Sequence, residues 1–441
     1  MKRVADSARS HHVASRARRA CALVIAAAHA TPAGAVETAI LVSPAPSTTA
    51  EMAYAVGLDG TRVALGAPGE TEGAGALYVS DCATVPCTLP LRIAPVALAA
   101  SDAFGTAVGI DGDTLIATAP GADPGAVYVF VANGGSWTQQ AKLTPTGGNA
   151  EERFGISASV SGDRIAVGAD RIVSDDPGPH DPGPGAVYVF VRSGTTWAQE
   201  ARLTASDGTS NDALGTSVAI DGDTLLAGAP GKRRGGIGSY ANGAAYVFVR
   251  GGGGWAQQAK LSDSAGANGE MFGFSVDLAG TRAVIGVPFA AADQGHAWVY
   301  TGSGSTWTQQ AELSAAGGAA GDQFGWSVAL GDDAVFVGAP FAGTLAGAAC
   351  GGSYMFDSAQ LTQNGSGTIQ APLFDDLSGW SIAASGTRWV SSAPGHLVGT
   401  VVHAGAAYWF DPLVTLFHAG FDIDGACVAP DDDDGGGGDK S

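Results

Sequence analysis

Six carboxylates recur at one offset along the chain. Asp102, Glu152, Asp212, Glu270, Asp322 and Asp376 each stand two residues before a Phe-Gly pair or a close variant of it. Carboxylates placed just before a strand have two uses. They accept backbone N–H bonds in the turn that leads into the strand, as Asp commonly does, or, arrayed in a ring, they make a cation-attracting rim. The turn role is the preferred reading.

A second group lies in two long segments, 171–184 and 231–242. One carries Asp175, Asp176, His180 and Asp181, and the other Lys232, Arg233, Arg234 and Tyr240. Long loops on a rigid scaffold are where binding residues concentrate, so these eight are the candidate ligand-binding residues. A blander use competes: the opposite charges could pair with each other, a contribution of at most about 1 kcal/mol. As metal ligands, Asp175, Asp176, His180 and Asp181 form a weak pattern, because no secondary structure fixes their spacing. No metal and no cofactor is expected.

Catalytic chemistry is hard to place. Beyond residue 35 the histidines are His180, His296, His396, His403 and His418, and none stands in a metal motif or beside a Gly-x-Ser-x-Gly turn. No catalytic residue is assigned, and His296 and His403, in or beside strands, read as structural. Trp137, Trp197, Trp255 and Trp307 could stack on sugars, but their recurrence at one strand position reads as packing.

These residues are positioned by a repeat. Phe104-Gly105, Phe154-Gly155, Leu214-Gly215, Phe272-Gly273 and Phe324-Gly325 each open an apolar run, and weaker copies begin at Met52-Ala53 and Ser378-Gly379. The anchors Leu58, Ile110, Val160, Ile220, Leu278, Leu330 and Ala384 are 52, 50, 60, 58, 52 and 54 residues apart. After each comes a turn such as Asp111-Gly112, read as a two-residue hairpin. A second run then ends in Gly-Ala-Pro or a near match. A third begins with Gly three residues before Tyr78, Tyr128, Tyr188, Tyr246, Trp298, Tyr354 or Tyr408, and its alternating Val and aromatic residues suit a strand buried on both faces. A fourth, Trp137 to Leu143 and its relatives, is more polar and suits an outer strand with a protected edge.

Four antiparallel strands repeated seven times predict an all-β fold, a seven-bladed β-propeller of four-stranded antiparallel blades. The seventh unit lacks a fourth run, while residues 36–43 form a strand with no unit of its own. The ring is therefore expected to be closed by this N-terminal outer strand.

The paired Phe-Gly and Gly-Ala-Pro elements resemble the FG-GAP repeats of integrin α-subunit propellers and of many bacterial exported proteins, over roughly residues 36–412. The resemblance implies extracellular ligand binding and adhesion. Integrin-type blades carry an Asp-x-Asp-x-Asp-Gly calcium loop between the two elements. Here that place holds only short turns such as Asp59-Gly60-Thr61, too tight to wrap the six to eight oxygens calcium takes. The closer match is the short bacterial repeat without metal.

Composition agrees with this reading. The 441 residues include 67 Gly and 21 Pro, which disfavours long helices, and the formal charge of −20 disfavours nucleic acid as a partner. Arg16, Arg18 and Arg19 precede the apolar run Ala20 to Ala28 and the small residues Ala33-Gly34-Ala35, a pattern that reads as a signal peptide over residues 1–35. The propeller is expected over 36–412, a C-terminal extension over 413–428, and a disordered acidic, Gly-rich tail over 429–441. Cys82, Cys87, Cys350 and Cys427 remain after the leader, and their spacing favours pairing Cys82 with Cys87 and Cys350 with Cys427. The function expected is that of an exported, monomeric, non-enzymatic propeller, secreted to the periplasm, cell surface or medium. It would bind an extracellular protein or glycan through loops on one face, without a membrane span. A propeller enzyme acting on extracellular polysaccharide and a purely structural surface protein are the alternatives.

Overall fold

The computed structural model describes residues 38–410 apart from 48–49, 85, 89, 96, 148–151, 171–182, 234–240, 264–268, 346–347, 360, 362, 368–375, 399–400 and 402. The expected signal peptide, the extension, the tail and Cys427 lie outside the described residues. So do Asp175, Asp176, His180, Asp181, Arg234 and Tyr240.

Seven four-stranded antiparallel sheets form a ring of blades. Blade 2 shows the pattern. An inner strand, Val108–Asp111, pairs with Thr114–Ala119, which pairs with Ala126–Asn133, which pairs with the outer strand Ser136–Leu143. In blade 7 the outer strand comes from the other end of the chain: Thr38–Val42 pairs antiparallel with Ala406–Phe410, from Thr38 opposite Phe410 to Val42 opposite Ala406. The helical segments among the described residues are four residues long.

Glycine sits where backbones of adjacent blades touch. A Cβ on Gly66 would lie 1.9 Å from the carbonyl oxygen of Gly105 in the next blade, and Gly228 and Gly338 meet Gly273 and Gly379 in the same way at 1.9 and 2.0 Å. These close approaches explain why one Gly of each repeat element recurs. Between the seams, Phe104, Phe154 and Phe324 are buried. Each meets the third-strand Tyr of its blade edge to face, with ring centroids 5.4, 5.3 and 5.3 Å apart, an arrangement that adds about 0.5–1.5 kcal/mol beyond burial.

The first hairpin turn is shifted by one residue from the sequence expectation. Asp111 pairs with Thr114, so Gly112 and Asp113 form the loop and Asp111 ends the strand. Gly112 takes φ +54° at its start, a conformation that suits Gly. The shift frees the Asp side chain for the neighbouring blade. Asp59 Oδ2 accepts the N–H of Gly112 at 3.0 Å, Asp111 that of Gly162 at 2.5 Å, and Asp221 that of Gly280 at 2.6 Å. Ser161 and Ser385 do the same for Gly222 and Gly60 at 3.2 and 3.0 Å. A belt of side-chain bonds therefore links blades along this face.

The outer strands carry a bulge. In blade 2 the register slips between Val129 and Phe130, which face Ala141 and Gln139, leaving Gln140 between them. A bulge re-aims the extra side chain. Gln140 accepts the indole N–H of Trp197 in the next blade at 2.8 Å, and at the equivalent place Glu200 accepts Trp255 at 2.9 Å and Gln258 accepts Trp307 at 3.1 Å. Trp197, Trp255 and Trp307 thus tie outer strands together, as the packing reading expects.

A disulfide joins Cys82 to Cys87 directly after the third strand of blade 1, Ala76–Asp81.

Candidate ligand face

The first strand starts, the second ends and the third begins at one face of the ring, opposite the belt. The turn into each first strand is built alike in all seven blades. The residue before the Phe-Gly position has positive φ throughout: Glu51, Ala103, Arg153, Ala213, Met271, Gln323 and Leu377 lie between +49° and +60°. Its carbonyl accepts the N–H of the residue after the pair, for example Met271 from Phe274 at 3.1 Å and Gln323 from Trp326 at 3.1 Å. This tight turn holds the residue after the pair at the mouth of the central channel.

The residue so held differs around the ring. It is Thr106, Ile156 and Thr216 in blades 2 to 4, but Phe274, Trp326, Trp380 and Tyr54 in blades 5, 6, 7 and 1. The four aromatic rings form a continuous arc, with centroid separations of 4.7 Å for Phe274 and Trp326, 4.9 Å for Trp326 and Trp380, and 5.7 Å for Trp380 and Tyr54. Phe289 and Phe341, from the loops that follow the second strands of blades 5 and 6, add 5.7 and 5.6 Å contacts to Phe274 and Trp326. All six are partly exposed. The two Thr hydroxyls turn back on their own loops, to the carbonyls of Ala103 and Ala213 at 2.7 and 2.9 Å.

An ion pair between an exposed cation and a buried carboxylate stands in blade 3. Arg153 lies 3.4 Å from Asp170, which is 1% exposed and occupies the place of the Pro in Gly-Ala-Pro. The phenol of Tyr54 has a raised pKa, pushed up by burial and by Glu51 while Arg153 pulls against them. Tyr54, at the end of the arc, is thus within electrostatic reach of the blade-3 pair.

The carboxylate column divides between two roles. Asp102, Asp212 and Asp322 accept the N–H of the residue three before them, at 2.8, 2.7 and 2.7 Å, the expected turn role. Glu152 instead accepts the Tyr188 hydroxyl at 2.5 Å and Arg202 at 2.8 Å, and burial together with this bond pushes Tyr188 up to about 12. Asp376 is buried against His396 at 3.2 Å and the Tyr408 hydroxyl at 3.3 Å. Glu270 lies beside His296, whose imidazole titrates low because burial outweighs the carboxylates around it.

Of the loop residues expected to bind, Lys232 and Arg233 are described. Lys232 is 7% exposed; its ammonium bonds Asp212 at 2.7 Å and the backbone carbonyl of Asp207. Arg233 is exposed and bridges to Ala241. Both loops join strands that end and begin at the arc's face: Arg164–Ala169 to Ala186–Ser193, and Thr224–Ala229 to Ala244–Gly251. The aromatic arc itself went unread in the sequence. Its signal was there, an aromatic directly after four of the seven pairs, but Thr and Ile at the same place in the other blades broke the column.

A family described as FG-GAP repeat matches residues 92–130, 137–190, 197–248, 255–300 and 307–356, together more than half of the chain. The chain is an FG-GAP repeat protein. The matched stretches run from the outer strand of blade 1 to the third strand of blade 6. The FG-GAP propeller is completed by blades 1 and 7, where Met52-Ala53 and Ser378-Gly379 replace Phe-Gly. A comparison with curated proteins finds no significant match. Among its described residues this FG-GAP protein has no helix long and apolar enough to cross a membrane and no group of three or more His, Cys, Asp or Glu placed to hold a metal ion.

Proposed function

We propose that this FG-GAP propeller is an exported, non-enzymatic binding module that holds a protein or glycan ligand on the face bearing the aromatic arc. The observation that carries this reading is the arc itself: six partly exposed aromatic rings on blades 5, 6, 7 and 1. Flat rings with one accessible face bind apolar side chains or sugar faces, and large contiguous exposed aromatic surface marks interaction sites. The loops 171–184 and 231–242 supply the polar contacts. The signal-peptide pattern read from residues 1–35 and the Cys82–Cys87 disulfide support export to an oxidising compartment.

The test is a glycan and protein array probed with residues 36–441. A reproducible hit is expected, and Trp326→Ala combined with Trp380→Ala should abolish it while leaving the melting temperature within a few degrees, because both rings are partly exposed. A hit that survives the double substitution places the ligand elsewhere. Turnover of a polysaccharide in the same screen would replace this reading with an enzymatic one.

A further inference from the structure

The outer rim links one blade to the next through Trp, and the seam between blades 1 and 2 breaks the pattern. Trp137 belongs to the column of Trp197, Trp255 and Trp307: it pairs across with Ala132 as they do with Arg192, Arg250 and Gly302. Those three donate their indole N–H to Gln140, Glu200 and Gln258 of the preceding blade. In blade 1 Leu91 lies opposite Val79 as Ala141 lies opposite Val129, so the acceptor's place, one residue earlier, falls to Pro90. Proline offers no side-chain acceptor. The outer strand of blade 1 also has three residues where that of blade 2 has eight.

A second link is missing at the same seam. Gln199 and Gln257, two residues after Trp197 and Trp255 and so on the same face of their strands, hold the connection that leaves the preceding blade. Gln199 grips a whole peptide unit: it accepts the N–H of Thr146 at 2.8 Å and donates to the carbonyl of the same residue at 3.0 Å. Gln257 accepts the N–H of Ser206 at 2.8 Å. Gln139 stands in this column in blade 2 and is exposed. Neither its carboxamide nor the indole N–H of Trp137 has a hydrogen-bond partner among the described residues.

Where the links are missing there is space. A cavity of about 400 Å³ lies between the two blades, lined by Leu91, Ile93, Pro95, Phe130, Trp137 and Gln139 among others. Leu91 takes the place of Ala141, Ala201 and Ala259 and is 48% exposed. The ionisable side chain in the lining, Arg92, is committed to Glu70 at 2.5 Å. The Trp137 ring packs on the core between the blades with the Arg62 guanidinium over it at 6.0 Å, which makes the N–H edge, rather than the ring face, its point of contact.

We propose that this rim groove, separate from the aromatic arc, holds an extended, uncharged segment of another polypeptide. A carboxamide or backbone carbonyl of the segment accepts the Trp137 N–H, as Gln140 does for Trp197. A peptide unit of the segment pairs with Gln139, as Thr146 does with Gln199, and an apolar side chain covers Leu91 and Pro95.

The experiment selects phage-displayed random decapeptides on residues 36–441 and measures the hits, as synthetic peptides, by fluorescence polarisation and by the indole N–H signals in NMR. In the free protein the Trp137 indole proton should exchange with solvent at least about tenfold faster than those of Trp197, Trp255 and Trp307, and a bound peptide should slow it. Trp137→Phe, which keeps a ring and removes the donor, should weaken binding about tenfold. Gln139→Ala should weaken it several-fold, and so should Pro90→Gln, which supplies the acceptor found in blades 2 and 4 and leaves Trp137 in place. Trp326→Ala with Trp380→Ala should leave this binding unchanged, which separates it from the ligand of the arc. The proposal is overturned by a Trp137 proton already protected in the free protein. It is equally overturned if no peptide binds below about 1 mM, or if every hit keeps its affinity in both Trp137→Phe and Pro90→Gln.

Discussion

At the belt face, side chains of one blade accept N–H groups of the next, whereas at the Phe-Gly face adjacent blades meet backbone to backbone. Asp59, Asp111, Ser161, Asp221 and Ser385 are all committed to neighbours at the first. At the second, Gly pairs in close contact do the joining, with Ser157, Ser275 and Ser327 donating to the carbonyls of Gly215, Gly325 and Gly379 at 2.8, 2.9 and 2.8 Å, and the aromatic arc stands beside these contacts. The contrast shows two ways of joining blades: side chains alone carry the link at the hairpin turns, whereas close Gly contacts carry it together with Ser side chains at the other end of the strands.

The comparison can be broken most severely at blade 7, by removing the strand from the other end of the chain that completes it. Deleting residues 36–43 takes away the partner of Ala406–Phe410 and should lower the melting temperature by about 10 °C or more. An unchanged melting curve would mean that the ring is held without that strand.

A subtler break lies at Asp277, the belt's most costly acceptor. Its carboxylate takes the N–H groups of Leu330 at 2.7 Å and Leu278 at 2.9 Å, yet burial raises its pKa to about 6. Between the ordinary Asp value and 6 the folded state holds a proton that the unfolded chain has lost, so this group's contribution is most favourable in acid and is lost as pH rises through 6. Asp277→Asn abolishes the ionisation but turns an amide nitrogen toward one of the two N–H groups, so the variant should be less stable than the parent below pH 4 and that deficit should shrink by about 1 kcal/mol or more by pH 7.5, measured by urea unfolding at both pH values. A pH-independent difference would remove ionisation as the cause. Asp221→Ala, which removes one belt bond, is expected to cost about 1 kcal/mol in the same assay.

The blades were legible because their punctuation is steric: a Gly needed where two backbones touch leaves the same mark in nearly every unit. The bulge at Gln140 was hidden because Thr138, Gln139 and Gln140 are all polar, so the residue types do not say which of them is the extra one. The residues before Phe-Gly were equally silent, since Glu, Ala, Arg, Met, Gln and Leu share no chemistry, only a positive φ imposed by the turn. Lys232 read as an available cation because a loop position does not reveal that Asp212 holds it from beneath.

The strand Thr38–Val42 has a consequence in time. It is made first, yet its partner Ala406–Phe410 is made after every other blade. During synthesis the earliest strand waits, unpaired, while six blades form behind it, and the circle locks only when the two ends meet. A chain cut short before blade 7 would have two open edges instead of none, which makes closure itself a check that the polypeptide has arrived whole.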